Sequence, residues 1–159
     1  MTIRTTIHRG PLNPSAIISN PILEFYAKYA KDFRFAKSST PPTAYYSTAS
    51  KLINTDATII FGAQAIWDYY IALYGQFERC EYEVISLTVI HDDETGKHTL
   101  TGEFLNTLHL KDNKGTVTLP QTFIYEIANA EEGCGTDGLQ IWEVRCYFDR
   151  GILHGAATL

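Results

Sequence analysis

The chain has 159 residues, 45% of them hydrophobic and 19% charged, with a formal net charge of -5. That balance fits one globular domain with its own core and excludes a disordered chain. Apolar runs of at most six residues exclude a membrane-crossing helix, and an acidic chain without a Lys/Arg cluster lacks what binding to nucleic acid or an anionic membrane requires.

Residues 1–15 contain Gly10, Pro11 and Pro14 and no periodic pattern, which predicts a flexible N-terminal arm ahead of a single domain over 16–159. The first ten residues hold no apolar core of signal-peptide length, so the expected compartment is the cytoplasm. Asn20-Pro21 reads as an N-cap with proline in the first helical position, followed by Ile22, Phe25, Tyr26, Tyr29 and Phe33 at helical spacing. Thr40-Pro41-Pro42 is expected to open a second helix with Tyr45 or Tyr46, Ala49, Leu52 and Ile53 as its stripe. Residues 57–61 form a short β-branched run. Gly62 then leads into a third helix bearing Ile66, Tyr69, Tyr70, Leu73, Tyr74 and Phe77.

From residue 78 the period changes from 3.6 to 2, predicting strands at about 79–91, 98–111, 116–127 and 139–149. Helices first and strands last imply an α+β fold, with three N-terminal helices packed on the concave face of a curved antiparallel sheet. Loops at 93–96 and 112–115 each end in glycine, and read as four-residue loops they set Asp92 against Lys97 and Lys111 against Thr116. One sheet face then becomes apolar except for a row in which Glu83 faces Asn106 and Asn106 faces Gln121. Adjacent strands lie ~4.8 Å apart, so the three groups are within reach of one ligand or of one another. If Tyr125 faces Trp142, the last strand presents Trp142, Val144, Cys146 and Phe148 to the same side. Glu143, Arg145, Tyr147 and Asp149 then lie on an outer face, where Leu105 and Ile124 also suggest a homodimer contact.

Cys80, Cys134 and Cys146 form no CxxC pair, and the five histidines lack ligand spacing, so neither a metal nor a redox centre is expected. The run from Gly133 to Gly138 leads into a strand, not a helix, and so is no phosphate loop. An enzyme of this composition would work without cofactor, on a small apolar molecule held among its ten tyrosines.

The order of elements, the stretch Asp56-Ala-Thr-Ile-Ile-Phe-Gly62-Ala-Gln-Ala-Ile66 and the closing Ile141-Trp-Glu-Val-Arg-Cys-Tyr-Phe-Asp149 resemble the SnoaL-like branch of the nuclear transport factor 2 superfamily. The resemblance spans about residues 20–155. It implies a cone of curved sheet capped by helices around a pocket, and similarity to small fungal isomerases and cyclases of natural-product pathways that need no cofactor. Scytalone dehydratase carries a pocket histidine where Glu83 aligns, ketosteroid isomerase an aspartate base where Phe61 stands, and SnoaL-like cyclases an aspartate near Cys146. No family mechanism therefore transfers intact.

Glu83 is the expected general acid or base, because a carboxyl group desolvated in an apolar cone has a raised pKa. Asn106 and Gln121 are expected either to hold a substrate carbonyl or enolate or to close a structural network with Glu83. Tyr26, Tyr46, Trp67, Tyr70, Phe104, Phe123, Tyr125, Trp142, Cys146 and Phe148 are expected as substrate-binding or core walls, with one tyrosine as a proton donor. His91 and His98 face each other beside a turn, His109 points outward, and His154 follows the last strand. The expected activity is isomerisation, cyclisation or dehydration of an apolar, carbonyl-bearing polyketide or meroterpenoid intermediate. The alternative is a non-catalytic binding or dimeric assembly module of the same fold.

Overall fold

The computed structural model describes residues 2–35 and 37–157. In chain order the elements are β1 (Ile3–Arg9), α1 (Pro14–Ser19), α2 (Pro21–Phe35), a 3-10 turn (Pro42–Ala44), β2 (Tyr46–Ile53), β3 (Ile59–Phe61) and α3 (Ala63–Tyr74). The meander follows as β4 (Arg79–Asp92), β5 (Lys97–His109), β6 (Thr116–Asn129) and β7 (Leu139–Phe148), and the chain continues into α4 (Arg150–Ala157). One seven-stranded sheet runs β1-β4-β5-β6-β7-β2-β3. Every pairing is antiparallel except β2 with β7. Helices α2 and α3 cover one face of the sheet. Tyr26 of α2 packs on Phe104 and Tyr125, and Phe33 joins α2 to Trp67, Tyr70 and Tyr74 of α3. The fold is thus α+β, as expected.

Helix α2 begins where the sequence predicts. The Asn20 Oδ1 accepts from the Ile22 and Leu23 amides at 3.0 and 3.3 Å, and Pro21 occupies the position whose N–H would be unpaired. The arm expected over 1–15 is different: Ile3–Arg9 pairs along β4, and Pro14–Ser19 forms a short helix capped by Asn13. The helix expected after Pro41-Pro42 is also corrected, because only one 3-10 turn forms before the chain extends as β2. Its buried Tyr46, Ser50 and Leu52 fit a period of 2, and Ser47, Thr48 and Ser50 favour helix poorly. Gln140 anchors this entry, donating to the carbonyls of Thr43 (2.6 Å) and Tyr46 (3.2 Å).

Two bulges and one turn decide which side chains face inward. The β4/β5 register is as expected from Asp92↔Lys97 to Ser86↔Glu103. Val84 then pairs with Phe104, leaving Ile85 as an extra residue. Facing therefore switches along β4: Leu87, Val89 and His91 are buried on one side of the bulge, while Tyr82 and Val84 face inward on the other. Glu83 pairs with Leu105 instead of Asn106 and lies exposed on the outer face, which overturns its assignment as general acid or base.

Between β5 and β6 the chain makes a longer turn, with Asp112 and Asn113 at positive φ, so His109 faces Thr116. This moves the register by two residues, which preserves facing. Asn106 lies opposite Leu119 and Gln121 opposite Phe104, and both amides stay buried on the inner face. At β6/β7 Val144, not Trp142, lies opposite Tyr125, and a second bulge puts Ile141 opposite Ile127. The Trp142 indole turns away from the core and donates to the Asn129 carbonyl at 3.1 Å. Outside, Arg145 pairs with Glu126 (2.8 Å) and Glu143.

Gly102 faces inward on β5 because a side chain there has no room. An added Cβ would lie 2.4 Å from the Phe104 ring and 3.0 Å from Leu87. The ring of Phe104 occupies the space that glycine leaves.

His91 is buried between Asn20 and His98. With the Asn20 oxygen committed to the helix, its amide nitrogen donates to His91 Nε2 at 3.1 Å, and His91 Nδ1 donates to His98 Nδ1 at 3.2 Å. Burial lowers the pKa of both rings, reinforced by Arg4 at His91 and by His91 at His98, while Asp93 acts in the opposite sense. The folded state thus binds these protons less readily than the unfolded state, so stability is full above the ordinary histidine pKa and falls below it. We expect Tm to drop by a few degrees between about pH 7.5 and 5.5, and less in His98→Gln; a flat Tm across that window overturns this assignment. For Glu83→Gln we expect unchanged ligand binding and a stability change within ~0.5 kcal/mol by chemical denaturation, and a larger loss would show that the carboxylate has an inward partner.

Candidate active site

Between α2, α3 and the inner face of the sheet lies a cavity of about 540 Å³. Its walls are Tyr26, Tyr29 and Phe33 from α2, Tyr70 and Tyr74 from α3, and Tyr82, Val84, Phe104, Phe123 and Tyr125 from the meander. Each helix contributes aromatics at i, i+3 or i+4, and each strand contributes alternate residues, so the two periods converge on one space. Charged residues line only its exposed opening: Lys31, Arg34, Lys37, Glu78, Arg79 and Glu81.

The polar groups along the walls are mainly phenols, and two sets are hydrogen-bonded. In the first, Asn106 Nδ2 donates to Gln121 Oε1 (3.2 Å) and Gln121 Nε2 donates to the Tyr74 hydroxyl (3.2 Å). Tyr82 also hydrogen-bonds Tyr74. In the second, the Tyr29 and Tyr46 hydroxyls lie 2.9 Å apart. Tyr70 is buried, and its hydroxyl finds no hydrogen-bond partner among the described residues; Asn106 Oδ1 is in the same position. Unpaired buried polar atoms are costly, so the Tyr70 hydroxyl, which is on the cavity wall, marks a place where a ligand group would be welcome.

Burial pushes every one of these phenols upward in pKa. Tyr74 rises to about 12, held back by its hydrogen bonds from Tyr82 and Gln121. Tyr26, Tyr29, Tyr46, Tyr70 and Tyr125 are raised further, desolvation being the main cause in each. All are therefore protonated donors at neutral pH. The Cys80 thiol on the cavity wall is pushed to about 11 by burial, which keeps it from acting as a thiolate nucleophile.

Of the residues expected from the sequence, Tyr26, Tyr70, Phe104, Phe123 and Tyr125 line the cavity. Asn106 and Gln121 sit behind the wall, reaching it through Tyr74. Tyr46 reaches it through Tyr29, while Trp67 packs between the helices and donates its indole N–H to the Lys37 carbonyl at 2.9 Å. Cys146 is buried against Asn54 (Sγ to Oδ1, 3.5 Å), and Phe148 is half-buried opposite Gln121. Glu83, Trp142 and His154 lie off the cavity. Tyr29, Tyr74 and Tyr82 were not singled out by sequence reasoning. The first two belong to helical stripes that were legible, whereas Tyr82 comes into the cavity only through the Ile85 bulge.

Among the described residues no three His, Cys, Asp or Glu side chains gather as a metal site, and no helix is long and apolar enough to cross a membrane. No protein-family model and no curated protein sequence matches the chain. Solved structures do. Aln2 from a Streptomyces species superposes with a TM-score of 0.65 at 13% identity, over 91% of this chain and 98% of that one. A Catenulispora acidiphila protein of ketosteroid isomerase-like fold, in complex with trimethylamine, gives 0.57 at 11% identity over 86% and 93%. A protein from Novosphingobium aromaticivorans provisionally named a scytalone dehydratase gives 0.60 at 9% identity over 80% and 84%. The helix-capped, curved sheet of this chain thus has a ketosteroid isomerase-like fold.

Proposed function

We propose that the protein is a cofactor-independent enzyme that cyclises, isomerises or dehydrates an apolar, carbonyl-bearing polyketide or meroterpenoid intermediate, using Tyr74 and Tyr29 to bind and polarise the carbonyl. The observation that carries this reading is the Tyr74 hydroxyl. Its oxygen accepts from Gln121, which leaves its own proton for a ligand in the cavity. A phenol whose oxygen already receives hydrogen bonds stabilises its conjugate base, so it donates more strongly to a developing oxyanion.

The chemistry suits substrates that supply their own nucleophile. In an aldol-type ring closure the enol π electrons form the new carbon–carbon bond, and the carbonyl oxygen takes the Tyr74 proton. The enol O–H proton then returns to the Tyr74 oxygen, so charge and protons balance over the turn. A β-dicarbonyl enolises readily, and no carboxylate has to remove a carbon-bound proton. The aromatic walls hold the chain folded and exclude water. The dehydratase name of one structural neighbour and the ketosteroid isomerase-like fold of another support carbonyl chemistry in this cone.

A second reading, a binding module, is favoured by one specific observation: among the described residues no Asp, Glu or His belongs to the inner cavity wall. Tyr74→Phe separates the two. On an aryl-capped linear triketone we expect kcat to fall about a hundredfold while the affinity for the cyclic product changes little. Unchanged turnover in Tyr74→Phe removes the phenol from the mechanism. Tight binding with no turnover by the parent protein favours the binding module.

A further inference from the structure

We infer that the ligand of this cavity is amphipathic, with an apolar ring body inside the cone and one anionic group of carboxylate type at the mouth, held by Lys31, Arg34 and Lys37. This rests on the reading of the cavity as the site for an apolar carbonyl compound, and it adds the charge that the molecule must carry.

The chain as a whole has 13 basic and 18 acidic residues. At the cavity mouth the balance inverts, with four cations against Glu78 and Glu81. Arg79 is engaged by Glu81 at 3.4 Å and by His109 at 3.4 Å. No carboxylate among the described residues lies within ion-pair distance of Lys31, Arg34 or Lys37. The contrast with Lys28, one helical turn earlier on α2, is direct: Lys28 meets Asp137 at 2.6 Å and Glu24 at 3.0 Å. Several cations away from the cavity, Arg4, Lys51, Arg145 and Arg150, are paired too.

Two of the three cations, Arg34 and Lys37, are also positioned. The Lys37 carbonyl is fixed by the Trp67 indole, its ammonium lies 5.9 Å from the centre of the Phe33 ring, and Arg34 stands 4.9 Å over Phe35. Phe33, Phe35 and all three cations line the cavity. A ligand whose rings stack on these aromatics would thus bring an attached anion among three positive charges. Cations near a helix C-terminus also complement its dipole. That role accounts for Arg34, but not for Lys37, which lies beyond the end of α2, and it predicts no preference for ligand charge.

N-phenyl-1-naphthylamine and 8-anilinonaphthalene-1-sulfonate share one ring system and differ by a sulfonate, so their fluorescence titrations isolate the charge. At about 10 mM salt we expect the sulfonate to bind about tenfold more tightly, with the advantage shrinking toward unity near 1 M salt. Lys31→Gln/Arg34→Gln/Lys37→Gln should abolish the advantage and leave the affinity for the neutral amine unchanged. Lys37→Gln alone should remove two- to threefold, should the triple variant fail to fold. Ala30→Trp, which fills the cavity mouth, should weaken both probes. Equal binding of the two by the parent protein overturns the anion site and leaves the cavity reading standing. Failure of both to bind, or sulfonate binding that survives Ala30→Trp, overturns the inference together with the cavity reading it rests on.

Discussion

One extra residue in the ladder between β4 and β5 determines what the cone contains. Because Ile85 has no partner on β5, the strand bends and the facing of everything before it is exchanged. Tyr82 comes to the cavity, where its hydroxyl meets Tyr74, and Glu83 goes to water. Without the bulge, a carboxylate would stand opposite Asn106 in an apolar interior and would have to be neutralised or paired. With it, the hydrogen-bonding around the cavity is carried by phenols and amides, which stay neutral at physiological pH.

That substitution of phenols for carboxylates sets the character of the site. Ten tyrosines in a chain of this size are a large hydrophobic and polar investment, and seven of them are arranged so that rings pack while hydroxyls converge. Their ring-to-ring contacts are mostly tilted or T-shaped, the geometries in which aromatic edges meet aromatic faces favourably. Rigid rings with few rotatable bonds lose little entropy when ordered, so a cavity walled by them is shaped in advance of any ligand. Asn106 and Gln121 contribute at one remove, by orienting the Tyr74 hydroxyl from behind the wall.

Much of this was legible in the residue pattern. The Asn20-Pro21 start, the stripe Phe25, Tyr26, Tyr29 and Phe33, the Asp92↔Lys97 register and the convergence of Asn106 with Gln121 all follow from spacing alone. What was not legible has physical causes. The stripe from Tyr46 to Ile53 satisfies periods of both 2 and 3.6, and only its pairing with β7 decides between them. Two bulges, at Ile85 and Trp142, carry no glycine to announce them, and each exchanges inward for outward residues. The turn at Lys111–Asn113 displaced a register by two, an error that alternation of side chains conceals because it leaves each residue on its own face. The N-terminal strand has no apolar rhythm of its own, since the β4 edge supplies its hydrogen bonds and both Ile3 and Ile7 remain exposed.

The parallel pairing of β2 with β7 brings together residues separated by more than half of the chain, with Lys51 beside Glu143 and Leu52 beside Val144. Such a contact closes the intervening meander into one long loop, and the entropy of closing so long a loop opposes its formation. The hollow between helices and sheet thus depends on contacts distant in sequence, which topology makes slow to form. In the partly assembled chain its aromatic lining is a sticky, solvent-facing surface, vulnerable to self-association until the final strand is in place.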